Sequence, residues 1–211
     1  MVDIGKTEWD LSSLLKEDGD SAIEKKRKEI EEKSYAFINK WKKKDDYLRN
    51  PEVLKEALDE YEHLAKFYGS SGDEGYYFSL RTYQDQINPD IKAKAQKIED
   101  FGKKISNDIM FFRLGISKIS ESEQKKFIEY SGLAKYKHFL ERLFQNAKYL
   151  LSEKEEKIVS LMNPTSYTKW VYMISSFFSK EEIEMEINVK KEKKVLEELQ
   201  SLTKDKNPET R

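Results

Sequence analysis

One run of residues constrains the fold more than any other. Ile91, Ala95, Ile98, Gly102, Ile105, Ile109, Phe112 and Ile116 recur at three- and four-residue spacing. That spacing holds one apolar stripe for about seven helical turns. A stripe this long must be buried against other elements, so the chain is built around a long central helix over about residues 90–114. Gly102 lies within the stripe. Glycine costs about 1 kcal/mol against alanine in a helix interior, so a close helix contact is expected there.

The same period recurs on both sides. Asp20 is a cap for a helix with Ile23, Arg27, Ile30, Ser34, Phe37, Ile38 and Trp41 on one face. Asn50-Pro51 opens a second helix, with Val53, Leu54, Ala57, Leu58, Tyr61, Leu64, Ala65 and Tyr68 in phase. Gly69 to Asp73 reads as a turn. A third helix carries a Tyr76, Leu80, Tyr83 and Ile87 stripe and stops at Asn88-Pro89. Ser120-x-x-Glu123 and Ser152-x-x-Glu155 fit the capping box, in which side chains satisfy the first backbone donors of a helix. Between them, Leu133, Tyr136, Phe139, Leu140, Leu143 and Phe144 mark a helix. Asn163-Pro164 reads as a break before a helix with Trp170, Val171, Ile174, Phe177 and Phe178.

Then the period changes to two. Ile183, Met185, Ile187 and Val189 alternate with Glu184, Glu186 and Asn188. This predicts a half-buried strand, paired in a hairpin through Lys190–Lys193 or with a partner elsewhere. Val195, Leu196, Leu199 and Leu202 predict a last short helix. The expected fold class is mainly α, an array of about eight to nine helices with one β-hairpin near 182–195. Residues 1–180 are expected to form a helical lobe, and 181–211 a hairpin and short helix leading onward. Asn207-Pro208-Glu209 repeats the start signal at Asn50-Pro51-Glu52, which suggests a truncation or a split from a longer protein.

Charge excludes some functions. Basic and acidic residues number 39 and 40 among 211, for a net charge of −1. That balance does not suit a chain that coats nucleic acid. Lysines cluster at Lys25–Lys28, Lys40–Lys44 and Lys190–Lys194, but acidic residues interleave most of them, which predicts a solvated ion-pair surface. Cysteine is absent, so there are no disulfides and no thiolate chemistry. No stretch is apolar enough to span a membrane, and Met1 to Asp10 lacks the apolar region of a signal peptide. A cytoplasmic protein is the expectation.

Candidate chemistry is sparse. The two histidines, His63 and His138, lie on different predicted helices, and neither begins an H-E-x-x-H pattern. A catalytic zinc needs three protein ligands, two of which that motif supplies from one helix face. Both histidines are expected to be partly exposed or interfacial. Glu155-Glu156 and Glu181-Glu182 are adjacent in sequence and point apart, so neither is read as an acid/base pair. No catalytic or metal-binding residue is assigned. Tyr77 and Arg81 lie off the Tyr76–Ile87 stripe, and are the candidates for reaching a cleft and a substrate.

Four segments in order resemble oligoendopeptidase F and its relatives, in the thimet oligopeptidase-related family. They are Trp9-Asp10-Leu11-Ser12-Ser13-Leu14; Tyr83 through Pro89 into a helix ending Asp108-Ile109-Met110-Phe111-Phe112-Arg113-Leu114; Tyr149 through Ile158, then Asn163-Pro164-Thr165 and Trp170; and the strand with Leu196-Glu197-Glu198-Leu199. The resemblance implies a helical N-terminal lobe packed across a helical catalytic domain. Between them lies a narrow channel for short peptides, with zinc in the catalytic half. The family's zinc ligands and catalytic glutamate have no counterpart in this chain. The expected role is thus a non-catalytic lobe that walls the channel and limits substrates to short peptides, with the catalytic domain as its partner. A stand-alone helical interaction module is the alternative. For the lobe, an apolar patch where the catalytic domain docks is expected near strand 183–189 and Asn207.

Overall fold

The computed structural model describes residues 9–68, 72–187, 190–204 and 206–207. Helix α1 (Ala22–Trp41) follows Asp20, whose carboxylate accepts from the Ala22 N–H at 2.8 Å. It buries Ile30, Ser34, Phe37, Ile38 and Trp41, the stripe read from spacing. Ser34 spends its hydroxyl on the Ile30 carbonyl at 2.7 Å, so no polar group is stranded there. Helix α2 (Pro51–Tyr68) buries Leu54, Ala57, Leu58 and Leu64. Helix α3 (Gly72–Gln84) begins at Gly72, whose φ of 68° is a left-handed conformation that favours glycine. The turn expected at Gly69–Asp73 lies partly outside the described residues.

Helix α4 (Pro89–Ser117) is the long central element. Asn88 caps it by accepting from the Asp90 and Ile91 N–H groups, and Pro89 takes the first position, where no donor is needed. Ile91, Ile98, Gly102, Ile105, Phe112 and Ile116 are buried along it. Its neighbours are α1, α3, α6 (Lys137–Asn146) and α7 (Glu153–Asn163). A tight approach occurs near its end. A Cβ on Gly115 would stand 3.1 Å from the Tyr47 hydroxyl.

The main core is aromatic. Phe112 stands edge-on to Phe37 at 5.2 Å and packs against Tyr47 and Tyr61. Trp41, Leu54, Leu58, Phe127, Leu133 and Leu140 close around them. A second, smaller cluster joins Leu15, Tyr77, Phe78 and Ile91.

Several local expectations are corrected. On α3 the buried residues are Glu74, Tyr77 and Phe78, whereas Tyr76, Tyr83 and Ile87 are exposed. Two polar ties hold the helix in this orientation. Arg27 of α1 donates from Nε to Glu74 at 2.7 Å and pairs with it again through Nη2. Tyr77 donates to Asp18. At Ser120, before α5 (Glu121–Glu129), the hydroxyl turns to Glu123 and Ser122 and makes no backbone cap. The box at Ser152 is complete. The helix expected around Leu133–Phe144 divides into a 3-10 segment, Ser131–Tyr136, and α6.

Asn163-Pro164 does not break the chain. Residues Pro164–Thr168 form a π-helical turn that carries α7 directly into α8 (Lys169–Phe178). Proline cannot donate to the carbonyl four residues back. A π turn accommodates such a lapse without ending the helix. Strands β1 (Glu182–Ile187) and β2 (Lys190–Val195) pair antiparallel, with Glu184 opposite Lys193 and Glu186 opposite Lys191. Lys190–Lys193 therefore lies in the second strand and is not the turn. Helix α9 (Leu196–Leu202) follows at once. The helix start at Asn207-Pro208 falls mainly on residues outside those described.

Candidate partner-facing surface

The apolar residues that a fold normally hides divide sharply along this chain. Among the described residues, the large apolar side chains left exposed before residue 149 are Trp9, Tyr76, Tyr83 and Ile87. All the others lie between Tyr149 and Met185. Neither α7 nor α8 buries a single residue. After Lys169, α8 reads Trp-Val-Tyr-Met-Ile-Ser-Ser-Phe-Phe, with no charge anywhere. Trp170 and Phe177 are 58% and 59% exposed. A helix that simply faced water would carry charged residues on its outer side.

This run is joined to the rest of the protein through α4. Helix α7 packs on α4. From α4, Lys92 donates to the Ser176 hydroxyl of α8 at 2.7 Å. The Tyr172 hydroxyl is held above its ordinary pKa, first by burial and then by the fields of Glu99 and Tyr83. On α3, Tyr76 and Tyr83 are exposed as well. On the hairpin, Ile183 and Met185 point to the side opposite Glu184 and Glu186, and both are exposed. Exposed apolar residues are thus concentrated on α7 and α8, with Ile183 and Met185 exposed in the region where the patch is expected; Asn188 and Val189 lie outside the described residues.

Tyr77 and Arg81 are brought together, but on a protein carboxylate. The Tyr77 hydroxyl donates to Asp18 at 2.8 Å, and Arg81 donates to both oxygens of Asp18 at 3.0 and 3.1 Å. Lys94 of α4 donates to the Asp18 backbone carbonyl at 2.7 Å. The Arg81 hydrogen bonds, more than the partial burial that opposes them, hold Asp18 below the usual carboxylate range. Tyr77 is buried and Arg81 is half-buried. Asp18 has no sequence signal of its own, since it lies in an irregular segment before α1.

A second polar knot ties α2 to the 131–136 segment. Tyr136 donates to Asp59 at 2.7 Å and to Glu62 at 2.8 Å, and Lys135 bridges the same two carboxylates. Hydrogen bonds from Lys66, Tyr136 and Lys135 pull Glu62 down to about 2. The knot is saturated by its own members, so it presents no free acid or base.

The histidines do not converge. Both are exposed, and His63 lines a groove between α1 and α2 with Lys33, Phe37 and Glu60. Among the described residues no group of three or more His, Asp or Glu side chains is arranged to hold a metal. Glu155 is spent in the Ser152 capping box and Glu156 accepts from the Leu151 N–H, so this adjacent pair is structural. Lysines of the three clusters form ion pairs, Lys28 with Glu32 along α1, Lys40 with Glu56 of α2, and Lys191 with Glu184 across the hairpin. Among the described residues no helix is long and apolar enough to cross a membrane.

Parts of the chain are similar to known proteins. The family profile described as Oligopeptidase F matches residues 116–173, a span that runs from the end of α4 into α8. An oligoendopeptidase F homolog of Borreliella burgdorferi is 28% identical over 166 residues. The chain is similar to the N-terminal region of oligoendopeptidase F-like peptidases. The Borreliella match takes in 75% of this chain but 26% of that protein. Group B oligopeptidase PepB of Streptococcus agalactiae is 28% identical over 110 residues, 52% of this chain and 17% of that one. The crystal structure of oligoendopeptidase-F from Enterococcus faecium shares the fold, with a TM-score of 0.69 at 16% identity, over 90% of this chain and 36% of that one. The chain thus spans about a quarter or less of the length of these curated relatives.

Proposed function

We propose that this chain is the non-catalytic N-terminal lobe of an oligoendopeptidase F-like peptidase, walling one side of a substrate channel and restricting substrates to short peptides. The observation that carries this reading is the likeness of the chain, over most of its length, to part of much longer oligopeptidases. In this reading residues 1–180 are the lobe, and 181–211 lead into the catalytic domain. Zinc belongs to that domain. The residues here do not fit a zinc site, since they supply neither an H-E-x-x-H helix nor a ligand cluster among the described residues. The lobe contributes binding surface and exclusion. Tyr77 and Arg81 serve substrate binding indirectly, by fixing α3 to the segment before α1 through Asp18. The working location is the cytoplasm, where short peptides are substrates.

The test pairs the chain with the catalytic portion of the peptidase. The chain alone should leave quenched fluorogenic peptides intact. The catalytic portion with the lobe should cleave short peptides and reject long ones, and without the lobe it should lose that length limit. Length selectivity indifferent to the lobe would leave a helical interaction module as the better account.

A further inference from the structure

The continuous helical run from Glu153 to Phe178 contains one turn wound differently from the rest. At the end of Pro164–Thr168 the Lys169 N–H reaches back five residues to the Pro164 carbonyl, where an α-helix reaches back four. Local chemistry favours that lapse. The Pro164 ring has no N–H to give, and in a straight α-helix it would crowd the Ser160 carbonyl. The Met162 carbonyl accepts from the Thr165 and Ser166 hydroxyls, each at 2.9 Å. Hydroxyls bonded back in this way loosen the backbone ladder and bend helices. The two sides of the turn are anchored unequally. Before it, α7 lies on α4, and the Ser152 capping box closes its first turn. After it, among the described residues, the extensive contacts of α8, the hairpin and α9 are with the elements next to them in sequence. An exposed hydrogen bond, from Lys92 of α4 to the Ser176 hydroxyl at 2.7 Å, ties α8 back to the body of the fold.

We propose that this π turn is a hinge, about which α8 and the hairpin swing toward and away from α4, with Lys92 and Ser176 as the latch. The extra residue of the turn gives the hinge two discrete positions. Moving the Lys169 N–H to the Thr165 carbonyl rewinds the turn as α-helix. That rotates α8 about its axis by one residue's step, about 100°. Helix α7 keeps its seat on α4 in both positions. A few residues at the end of an element commonly absorb such a motion. The latch is one exposed hydrogen bond, so its loss changes the balance of the two positions only about fivefold. The hinge sets the direction in which the uncharged run from Trp170 to Phe178 is presented. It does not depend on the lobe reading above.

The chain has no cysteine, so introduced cysteine pairs carry spin labels at chosen sites alone. Lys97→Cys on α4 with Lys180→Cys just past α8 reports the swinging side. Lys97→Cys with Lys154→Cys on α7 reports the fixed side, and all three positions are exposed. Double electron–electron resonance on the 211-residue chain should give two distances for the first pair and one for the second. Ser176→Ala should shift the two populations of the first pair about fivefold and leave the second pair unchanged. Pro164→Ala lets the turn rewind, and alanine suits a helix interior, so the chain should keep its Tm while the first pair collapses to one distance. One distance for the first pair that neither substitution moves would overturn the proposal. Two populations indifferent to Pro164→Ala would put the motion somewhere other than the π turn, and would also overturn it. So would a second pair as broadly spread as the first, since α7 would then move with α8.

Discussion

Tyr77 of α3 donates its hydroxyl to Asp18 at 2.8 Å across 59 residues of sequence, and this contact joins the irregular segment before α1 to the body of the fold. Arg81, one turn along α3, grips the same carboxylate with two further hydrogen bonds. Asp18→Ala removes the shared acceptor and leaves both donors unsatisfied. It should cost about 2 kcal/mol, as hydrogen bonds to charged groups typically do, with partial exposure keeping the figure modest. Tyr77→Phe removes one bond of the set and should cost about 1 kcal/mol. Urea unfolding of the two variants beside the parent measures both. Equal stability in all three would show that the second core cluster holds the segment without these bonds.

The knot at Tyr136 predicts how stability changes with acid. Lysine and tyrosine donors favour the ionised form of Glu62, lowering it to about 2 in the folded chain, against about 4.3 when unfolded. Asp59 is displaced the same way, first by Lys135. Between those values the unfolded chain binds more protons, so stability falls as the pH drops. The contribution is fully present above about pH 4.5 and lost toward pH 2. Glu62→Gln should flatten this decline. Urea midpoints at pH 6, 4 and 3 for parent and variant would show it, and parallel curves would exclude a role for Glu62.

Much of the fold was legible because a single variable, the spacing of apolar residues, decides helix or strand. The stripes of α1, α2 and α4 and the alternation in β1 follow it directly. The inward face of α3 was not legible. Tyr76, Leu80, Tyr83 and Ile87 have the spacing of a core stripe, yet charge pairing decides the rotation, since Glu74 must meet Arg27 and Tyr77 must meet Asp18. Those partners lie 47 and 59 residues away, beyond the reach of any local pattern. The concentration of exposed apolar residues on α7 and α8 was not legible for a related reason. Trp170, Ile174 and Phe177 have the spacing of core residues, and spacing does not say whether this chain or another covers them.

That ambiguity is open to a direct stability comparison. Ile105 is 2% exposed in the central helix, and Ile174 is 47% exposed on α8. Ile105→Asp buries an unpaired charge and removes a packed side chain, and should cost about 3–5 kcal/mol, enough to threaten folding of the lobe. Ile105→Val, a gentler probe if the aspartate fails to fold, should cost about 1 kcal/mol. Ile174→Asp places the same charge in water and should shift stability by no more than about 0.5 kcal/mol. Because it also breaks up an exposed apolar face, it should improve solubility and reduce self-association in sedimentation velocity. A cost at Ile174 equal to that at Ile105 would mean that α8 is part of this chain's own core, and that the apolar run from 149 to 185 folds inward.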